Sequence, residues 1–403
     1  MNKCISCESN NVKKAIDFGE QPPSNRYLNN AQEFCETHEL IFGYCNDCGL
    51  GQLINPMSPD DVRSHYDWIV YNEPEGHLDN LVEVLMAEAK LEPDSKILGV
   101  TYKDDTTLNR FKIKGIKDTY RLKQVDDLGI KNSLGSLESI QNALTQKVSE
   151  DLSSKLGHAD ILLVRHILEH VHKPQAFMKA CKSLTKPDGI MVFEVPDCRK
   201  VLEGSDHCFI WEEHISYFTP DTLKNFLKRA GFTDVQIKVY PYPMEDSLIA
   251  IVRNTWSVPK LNKVDISKEI ARINNFTRTF STRGLKIRSH LKKMHEEGKN
   301  IVLFGAGHLA TKFINFYQLT PFLNGVVDDN QNKLNRLIPF SKLPIISSQC
   351  LDSDNIDLCL LTLNPESEKR VLKAKQNYLA SGGKFSSIFS ASSNSLDRDI
   401  NND

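Results

Sequence analysis

None of the apolar runs in this 403-residue sequence reaches the roughly 18 residues that a membrane-spanning helix needs. The N-terminus, Met1-Asn2-Lys3-Cys4, lacks the apolar stretch of a secretory signal. A cytosolic protein with reduced thiols is therefore expected. Charge of one sign is also missing: 50 Lys+Arg against 52 Asp+Glu leave a net charge of −2, without the basic footprint of a nucleic-acid binder. There is no internal repeat and no long low-complexity tract. What is present is 40% hydrophobic and 25% charged residues, the composition of a chain that buries a real core. The length suits two or three domains of about 150 residues. Ten cysteines remain, to be read as metal ligands or buried thiols before disulfides.

Four segments separate by pattern. Residues 1–74 begin Cys-rich and turn-rich. Residues 75–263 alternate apolar runs with helical patterns. Residues 264–390 open with one long polar helix, Val264 to Gly298, and then alternate strand and helix again. Residues 391–403, rich in Ser, Asn and Asp, are expected to fray. Strands are expected at Lys96–Val100, Ala159–Val164, Ile190–Val195, Val235–Tyr240 and Leu248–Val252, mostly separated by helices. That alternation implies a mostly parallel sheet covered on both faces. The last two strands flank a short Pro/Tyr loop and suggest an antiparallel pair at one edge.

Two Cys-x-x-Cys pairs, Cys4/Cys7 and Cys45/Cys48, match a tetrahedral Cys4 zinc site. Their spacer is long, so an inserted element must fit between them. Cys35 is a fifth thiol without such a partner. Four protein ligands leave no open position, so zinc here would serve folding.

The most informative stretch runs Ala159-Asp160-Ile161-Leu162-Leu163-Val164-Arg165-His166-Ile167-Leu168-Glu169-His170-Val171, through a helix at Gln175–Leu184, to Lys186-Pro187-Asp188-Gly189 and a strand. It resembles the fourth strand, following helix and turn of the class I S-adenosylmethionine-dependent methyltransferases. Together with Asp17-Phe18-Gly19-Glu20-Gln21-Pro22, with Trp211-Glu212-Glu213-His214-Ile215-Ser216-Tyr217-Phe218 and with the C-terminal segment, the chain resembles the nucleotide-sugar C-methyltransferases along nearly its whole length. The resemblance implies an α/β protein. It would have a small zinc-binding domain, a doubly wound methyltransferase-like sheet and a C-terminal Rossmann-like αβα domain. It implies structural zinc, S-adenosylmethionine, and a nucleotide-activated sugar as partner, with neither nucleic acid nor membrane.

Two cofactor features depart from that family. The glycine-rich turn after its first strand reads here Leu98-Gly99-Val100-Thr101-Tyr102-Lys103-Asp104-Asp105, with Thr101, Lys103 and Asp105 where glycines would let backbone approach a cofactor. Gly99, Thr101, Asp104 and Arg165 would line that cofactor. The second strand, Thr119-Tyr120-Arg121-Leu122, offers no acid for the cofactor ribose.

The resemblance makes His214 the general base. A carbon beside a ketone must lose a proton before it attacks a methyl group, and an imidazole of ordinary pKa near 6.5 accepts one at neutral pH. Glu213 beside it would polarise or orient a partner. His170 and Tyr71 match a further family histidine and tyrosine, and a tyrosine hydroxyl would stabilise an enolate oxygen. Trp211 stands where the family has a tyrosine, and with Tyr217 is assigned to the substrate. His166, His170 and His172 also have a metal-cluster look, but a strand entering a loop does not align them.

Asn300-Ile301-Val302-Leu303-Phe304-Gly305-Ala306-Gly307-His308 reads as a strand, glycine turn and helix, followed by a strand Gly325-Val326-Val327 ending at Asp328. Gly305 and Gly307 would bring backbone N–H groups to a phosphate at the helix N-terminus, with His308 beside them; tight packing explains the glycines equally well. The expected reaction is S-adenosylmethionine-dependent C-methylation of a 4-keto nucleotide-activated deoxysugar. The alternatives are an enolising enzyme of the same fold without methyl transfer, such as an epimerase, and a non-catalytic homologue. The sugar, the nucleotide, the reacting carbon and the oligomeric state are left open.

Overall fold

The computed structural model describes residues 3–69, 73–131, 137–255, 264–353 and 355–402. The first sheet begins with β1 (Val12–Gln21), β2 (His38–Cys45) and β3 (Gly51–Ile54), an antiparallel meander followed by a short helix α1 (Pro59–Val62). β1 and β2 are the element inserted between the two cysteine pairs.

The central sheet follows. Its elements are α2 (Leu78–Ala89), β4 (Lys96–Gly99), α3 (Asp105–Ile113), β5 (Asp118–Arg121), α4 (Leu137–Ala143), α5 (Gln146–Leu156), β6 (Ala159–Arg165), α6 (Pro174–Leu184), β7 (Thr185–Asp197), α7 (Arg199–Gly204), β8 (Ser216–Tyr217), α8 (Pro220–Arg229), β9 (Val235–Tyr240) and β10 (Asp246–Arg253). The strand order is β5-β4-β6-β7-β10-β9. β4, β5, β6 and β7 pair in parallel, while β10 runs antiparallel to β7 and to β9; the pairing of β10 with β9 is the antiparallel edge expected from the sequence. The Lys186-Pro187-Asp188-Gly189 turn lies inside β7: pairing with β6 jumps from Ala159↔Thr185 to Ile161↔Ile190. Asp188 there has φ 62°. Apolar residues cover both faces of this sheet, with Leu98, Leu162 and Phe193 on one side and Ile97, Leu163 and Val192 on the other. That is the alternation a strand imposes.

β8 belongs elsewhere. It leaves the central sheet and pairs antiparallel with β3, making the first sheet four-stranded, β1-β2-β3-β8. The Trp211–Phe218 run therefore passes from one sheet to the other.

The long helix α9 (Ser267–Glu296) reads as polar, yet it buries Ile273, Phe276, Ile287 and Leu291 at helical spacing. After it come β11 (Ile301–Phe304), α10 (His308–Phe316), β12 (Gly325–Val327), β13 (Ile345–Ile346), α11 (Cys350–Ser353), β14 (Leu358–Leu361), α12 (Pro365–Ala374), α13 (Gln376–Ala380), β15 (Lys384–Ser387) and α14 (Leu396–Asn402). The third sheet is wholly parallel, β13-β12-β11-β14-β15. One hydrophobic cluster joins the first sheet, α9 and this third sheet; Phe18, for example, stacks on Phe316 with ring centroids 4.0 Å apart.

The C-terminal stretch corrects the expectation of a frayed tail. It forms α14, with Leu396 buried and Asp397 paired to Arg283 of α9 at 3.0 Å. Its Leu396 and Ile400 stand i, i+4 apart, and both pack on the core. Among the described residues no helix is long and apolar enough to cross a membrane.

Candidate active site

The four thiols come together. Cys4 and Cys48 Sγ lie 3.5 Å apart, as do Cys7 and Cys45, and all four sulfurs fall within 4.8 Å of one another. Sulfurs at about 2.3 Å from one tetrahedral zinc would be about 3.8 Å apart, so this donor set fits zinc. Both pairs sit in tight turns: the Glu8 N–H donates to the Cys4 carbonyl at 2.8 Å and the Gly49 N–H to the Cys45 carbonyl at 2.9 Å. The residue after each pair is left-handed, Glu8 at φ 60° and Gly49 at φ 78°. Cys35 stays outside, its sulfur accepting from the Phe340 N–H at 3.1 Å.

His214 stands where the three sheets meet. The next residue, Ile215, donates its N–H to the Glu169 carbonyl at 2.7 Å and accepts from the Leu53 N–H at 3.0 Å. This clamps the loop between the end of β6 and the first sheet. The preceding Glu212 accepts from the Ser24 N–H and pairs with Lys312 of α10 at 2.7 Å, both side chains out of contact with solvent. Although burial opposes its charge, Lys312 and that N–H hold the Glu212 carboxyl below its ordinary range. Glu213 accepts from Asn25 Nδ2 at 3.0 Å.

The proton-active groups gather around His170. Its Nδ1 lies 3.1 Å from Glu138 of α4, and its ring packs edge-on against His214 at 4.8 Å between centroids. Ligand atoms of Glu138, His170 and Glu213 lie within 4.8 Å of one another, and so do those of Glu169, His170 and His214. Their environments drive acid and base apart. Burial, then the charges of Glu138 and Glu212, raise Glu213 well above the usual carboxyl range, favouring the protonated acid. Enclosure, then His170 and His308, push His214 well below its ordinary value, favouring the neutral imidazole. Such a divergence is what acid–base chemistry requires.

Trp211 forms the wall towards the third sheet. Its ring stacks on His308 at 4.1 Å and 21° and stands 5.2 Å from His214. Burial brings His308 down to about 4. Tyr217 corrects an expectation. It is buried, and its hydroxyl accepts from the Trp211 N–H at 3.0 Å and donates to the Trp211 carbonyl at 3.2 Å. With both hydrogen-bonding capacities used it braces the loop instead of meeting substrate. Tyr71 lies outside the described residues.

The glycine turn of the third sheet is likewise occupied by the protein itself. The Gly305 N–H donates to the Val327 carbonyl at 2.8 Å, the Ala306 N–H to Asp328 at 2.9 Å and the Gly307 N–H to the Gly305 carbonyl at 2.9 Å. A phosphate cradle at Gly305 and Gly307 is thus not what the turn presents. Gly305 is required by its φ of +105° and by Leu363, whose Cδ2 would lie 2.6 Å from an added Cβ.

The first turn of the central sheet differs from a cofactor cradle. The Asp104 carboxylate takes the Val100 and Thr101 N–H groups, each at 2.8 Å, and the Arg165 N–H at 3.1 Å. Gly99 and Thr101 line this turn, but their neighbourhood is filled: a Cβ on Gly99 would meet Asp104 Cβ at 2.7 Å. Arg165, 1% exposed, pairs with Glu194 of β7 at 2.5 Å and donates to the Lys103 carbonyl. Arg121, at the end of β5, pairs with Asp105 at 2.8 Å. In this conformation the turn does not fit S-adenosylmethionine, because its own side chains use the donors that the cofactor would need.

Two residues here carried no signal that sequence reasoning used. Glu138 and Lys312 belong to ordinary helical patterns. His166 at φ 49° lies 3.2 Å from Glu194; burial opposes its charge, but Glu73 and Glu194 lift it to about 10. Glu194, near the end of β7, is joined to β6 through Arg165 at 2.5 Å, a pairing no local pattern encodes.

Three family models match the chain in order: a zinc binding domain over residues 4–62, a methyltransferase domain over 109–237 and a C-methyltransferase C-terminal domain over 260–389. The methyltransferase match begins beyond the turn at 99–108. The C-methyltransferase NovU of Streptomyces niveus is 21% identical over 420 residues, covering 96% of this chain and 94% of NovU. A ubiquinone biosynthesis O-methyltransferase of Cereibacter sphaeroides is 28% identical over 25% of this chain and 47% of its own length. Among solved structures, a Burkholderia thailandensis 1,6-didemethyltoxoflavin-N1-methyltransferase matches at 14% identity and TM-score 0.30, covering 45% of this chain and 79% of that one. An S-adenosylmethionine-dependent methyltransferase of Archaeoglobus fulgidus matches at 14% and 0.30, covering 43% and 94%. The zinc-binding domain implies zinc and the methyltransferase domain implies S-adenosylmethionine. These three parts, in this order, make the chain a methyltransferase that is similar along nearly its whole length to a C-methyltransferase.

Proposed function

We propose that the substrate is a 4-keto nucleotide-activated deoxysugar and that this chain generates its enolate. The observation that carries the reading is the clamped Glu213-His214 pair at the junction of three sheets, with Glu213 favouring the acid and His214 the base. The C–H bond beside the ketone breaks, its proton passes to the His214 imidazole, and its electron pair moves onto the carbonyl oxygen. Glu213 donates a hydrogen bond to that oxygen as charge develops. A donor placed where charge appears lowers the barrier most. His170, held by Glu138 at 3.1 Å, positions the His214 ring. Trp211 and His308 offer the sugar a stacked aromatic face, which favours ring C–H groups over a charged ligand. In this family the enolate is the nucleophile for methyl transfer.

The experiment is hydrogen exchange in D2O. The zinc-loaded full chain is incubated with thymidine-diphosphate 4-keto-6-deoxyglucose, and deuterium beside the ketone is followed by NMR. The reading expects uptake by the wild type and at least a ~100-fold slower rate for His214→Asn, in line with loss of a general base. Equal rates for both, with S-adenosylmethionine present as well as absent, would remove His214 from the chemistry.

A further inference from the structure

In an open parallel sheet, ligands bind over the carboxyl ends of the strands where strand order reverses. Here the reversal falls between β4 and β6, since β5 lies on one side of β4 and β6, β7 and β10 on the other. This crevice is bridged from within. One oxygen of Asp104 holds the two N–H groups at the exit of β4, Val100 and Thr101; the other holds the Arg165 N–H at the exit of β6. Asp104 is fully buried. The Arg165 side chain then crosses the same gap in the other direction, from β6 to the Lys103 carbonyl of the turn, with Glu194 as counter-ion. The Lys103 N–H goes to Thr101 Oγ1 at 3.1 Å and the Asp104 N–H to the Thr101 carbonyl at 3.1 Å. A carboxylate and a guanidinium of the chain thus hold the polar groups at the switch point.

The loop that carries the base is held from outside this crevice. His214 is fixed by Ile215, Glu169 and the first sheet, and Glu213 by Asn25. Resting on the enolate reading above, we propose that Asp104 and the Arg165–Glu194 pair act as an internal staple that S-adenosylmethionine must displace, and that the stapled chain enolises its keto-sugar substrate without any methyl donor. In that cofactor-independent reaction the C–H proton passes to His214 and the electron pair to the carbonyl oxygen. The same carbon then regains a proton from the imidazolium as the carbonyl re-forms. Nothing is oxidised or reduced, and the only net change is exchange of that hydrogen with solvent.

The staple makes a quantitative claim. If only a small fraction of molecules has an open turn, the apparent cofactor affinity falls by that fraction, and removing the staple restores it by about tenfold or more. Two measurements on the zinc-loaded full chain test this. Calorimetric titration with S-adenosylmethionine is run on the wild type, Asp104→Asn and Arg165→Met. Exchange in D2O with thymidine-diphosphate 4-keto-6-deoxyglucose is run without the cofactor. Circular dichroism identifies any variant that fails to fold, and for such a variant amide exchange at Val100 and Thr101 in the wild type replaces it. The proposal expects exchange without cofactor, and tighter binding in the variants or loss of amide protection when the cofactor is added. Exchange that requires S-adenosylmethionine would overturn the proposal and leave the enolate reading standing. So would variants that bind more weakly than the wild type, since Asp104 and Arg165 would then be cofactor ligands. Absence of exchange under every condition would overturn the enolate reading itself.

Discussion

Lys312→Met should loosen the whole junction, and the size of the effect follows from what surrounds the ammonium. Lys312 Nζ pairs with Glu212 at 2.7 Å and donates to the Pro22 carbonyl at 3.0 Å, and the side chains of Lys312 and Glu212 are 0% and 1% exposed. Methionine keeps the apolar stem but leaves a buried carboxylate without its counter-ion, held by backbone N–H groups such as that of Ser24. Removing one partner of a buried pair costs about 3–5 kcal/mol, far more than an exposed pair is worth. For a unit of 150–250 residues that corresponds to a melting-temperature drop of roughly 6 °C or more. Glu212→Gln should cost less, because an amide oxygen still accepts from Ser24. The double variant Lys312→Met/Glu212→Gln should melt above Lys312→Met, because the unpaired charge is gone. Differential scanning calorimetry on the four proteins closes the cycle. A Lys312→Met shift below about 1 °C, or a double variant no more stable than that single one, would refute the claim that this pair is buried and coupled.

Two further outcomes follow from the same geometry. Cys4→Ser/Cys7→Ser should lose one zinc per chain by elemental analysis and lower the melting temperature, since structural zinc contributes folding energy; a metal-free wild type of unchanged stability would contradict the Cys4 site. His166 is lifted to about 10 by Glu73 and Glu194 against burial, above its ordinary 6.5. A raised histidine contributes stability fully below pH 6.5 and loses it as pH rises through about 10. Wild-type melting temperature should therefore fall between pH 7 and pH 10 more steeply than that of His166→Gln; parallel curves would place no charge on His166.

The sequence made the frame legible because strands and helices leave local periodicity. All five expected strands of the central segment formed, Val235–Tyr240 with the same bounds, and so did the long helix and the antiparallel edge. The Cys-x-x-Cys pairs were legible because a knuckle is local and its four thiols have one common purpose. Contacts across the fold were not. Asp104 and Arg165 each suggested a ligand contact when seen alone, yet they hold each other across 61 positions. Gly305 and Gly307 suggested a phosphate, but Asp328 and Val327, from a strand beginning 20 residues later, take two of the N–H groups. Tyr217 suggested a ring for the sugar, and only the loop's fold shows its hydroxyl spent on Trp211. Glu138 became relevant through its distance to His170, which no spacing encodes.

The pH dependence of deuterium exchange between pH 5.5 and 8 tests the base most directly. With enclosure, His170 and His308 all disfavouring a charged His214 ring, the base is already neutral below its ordinary pKa. The account predicts that kcat/KM for exchange stays level as pH falls through 6.5. A tenfold loss of rate per pH unit beginning near 6.5 would show an ordinary, solvent-exposed histidine, and would contradict the enclosed base on which the chemistry depends.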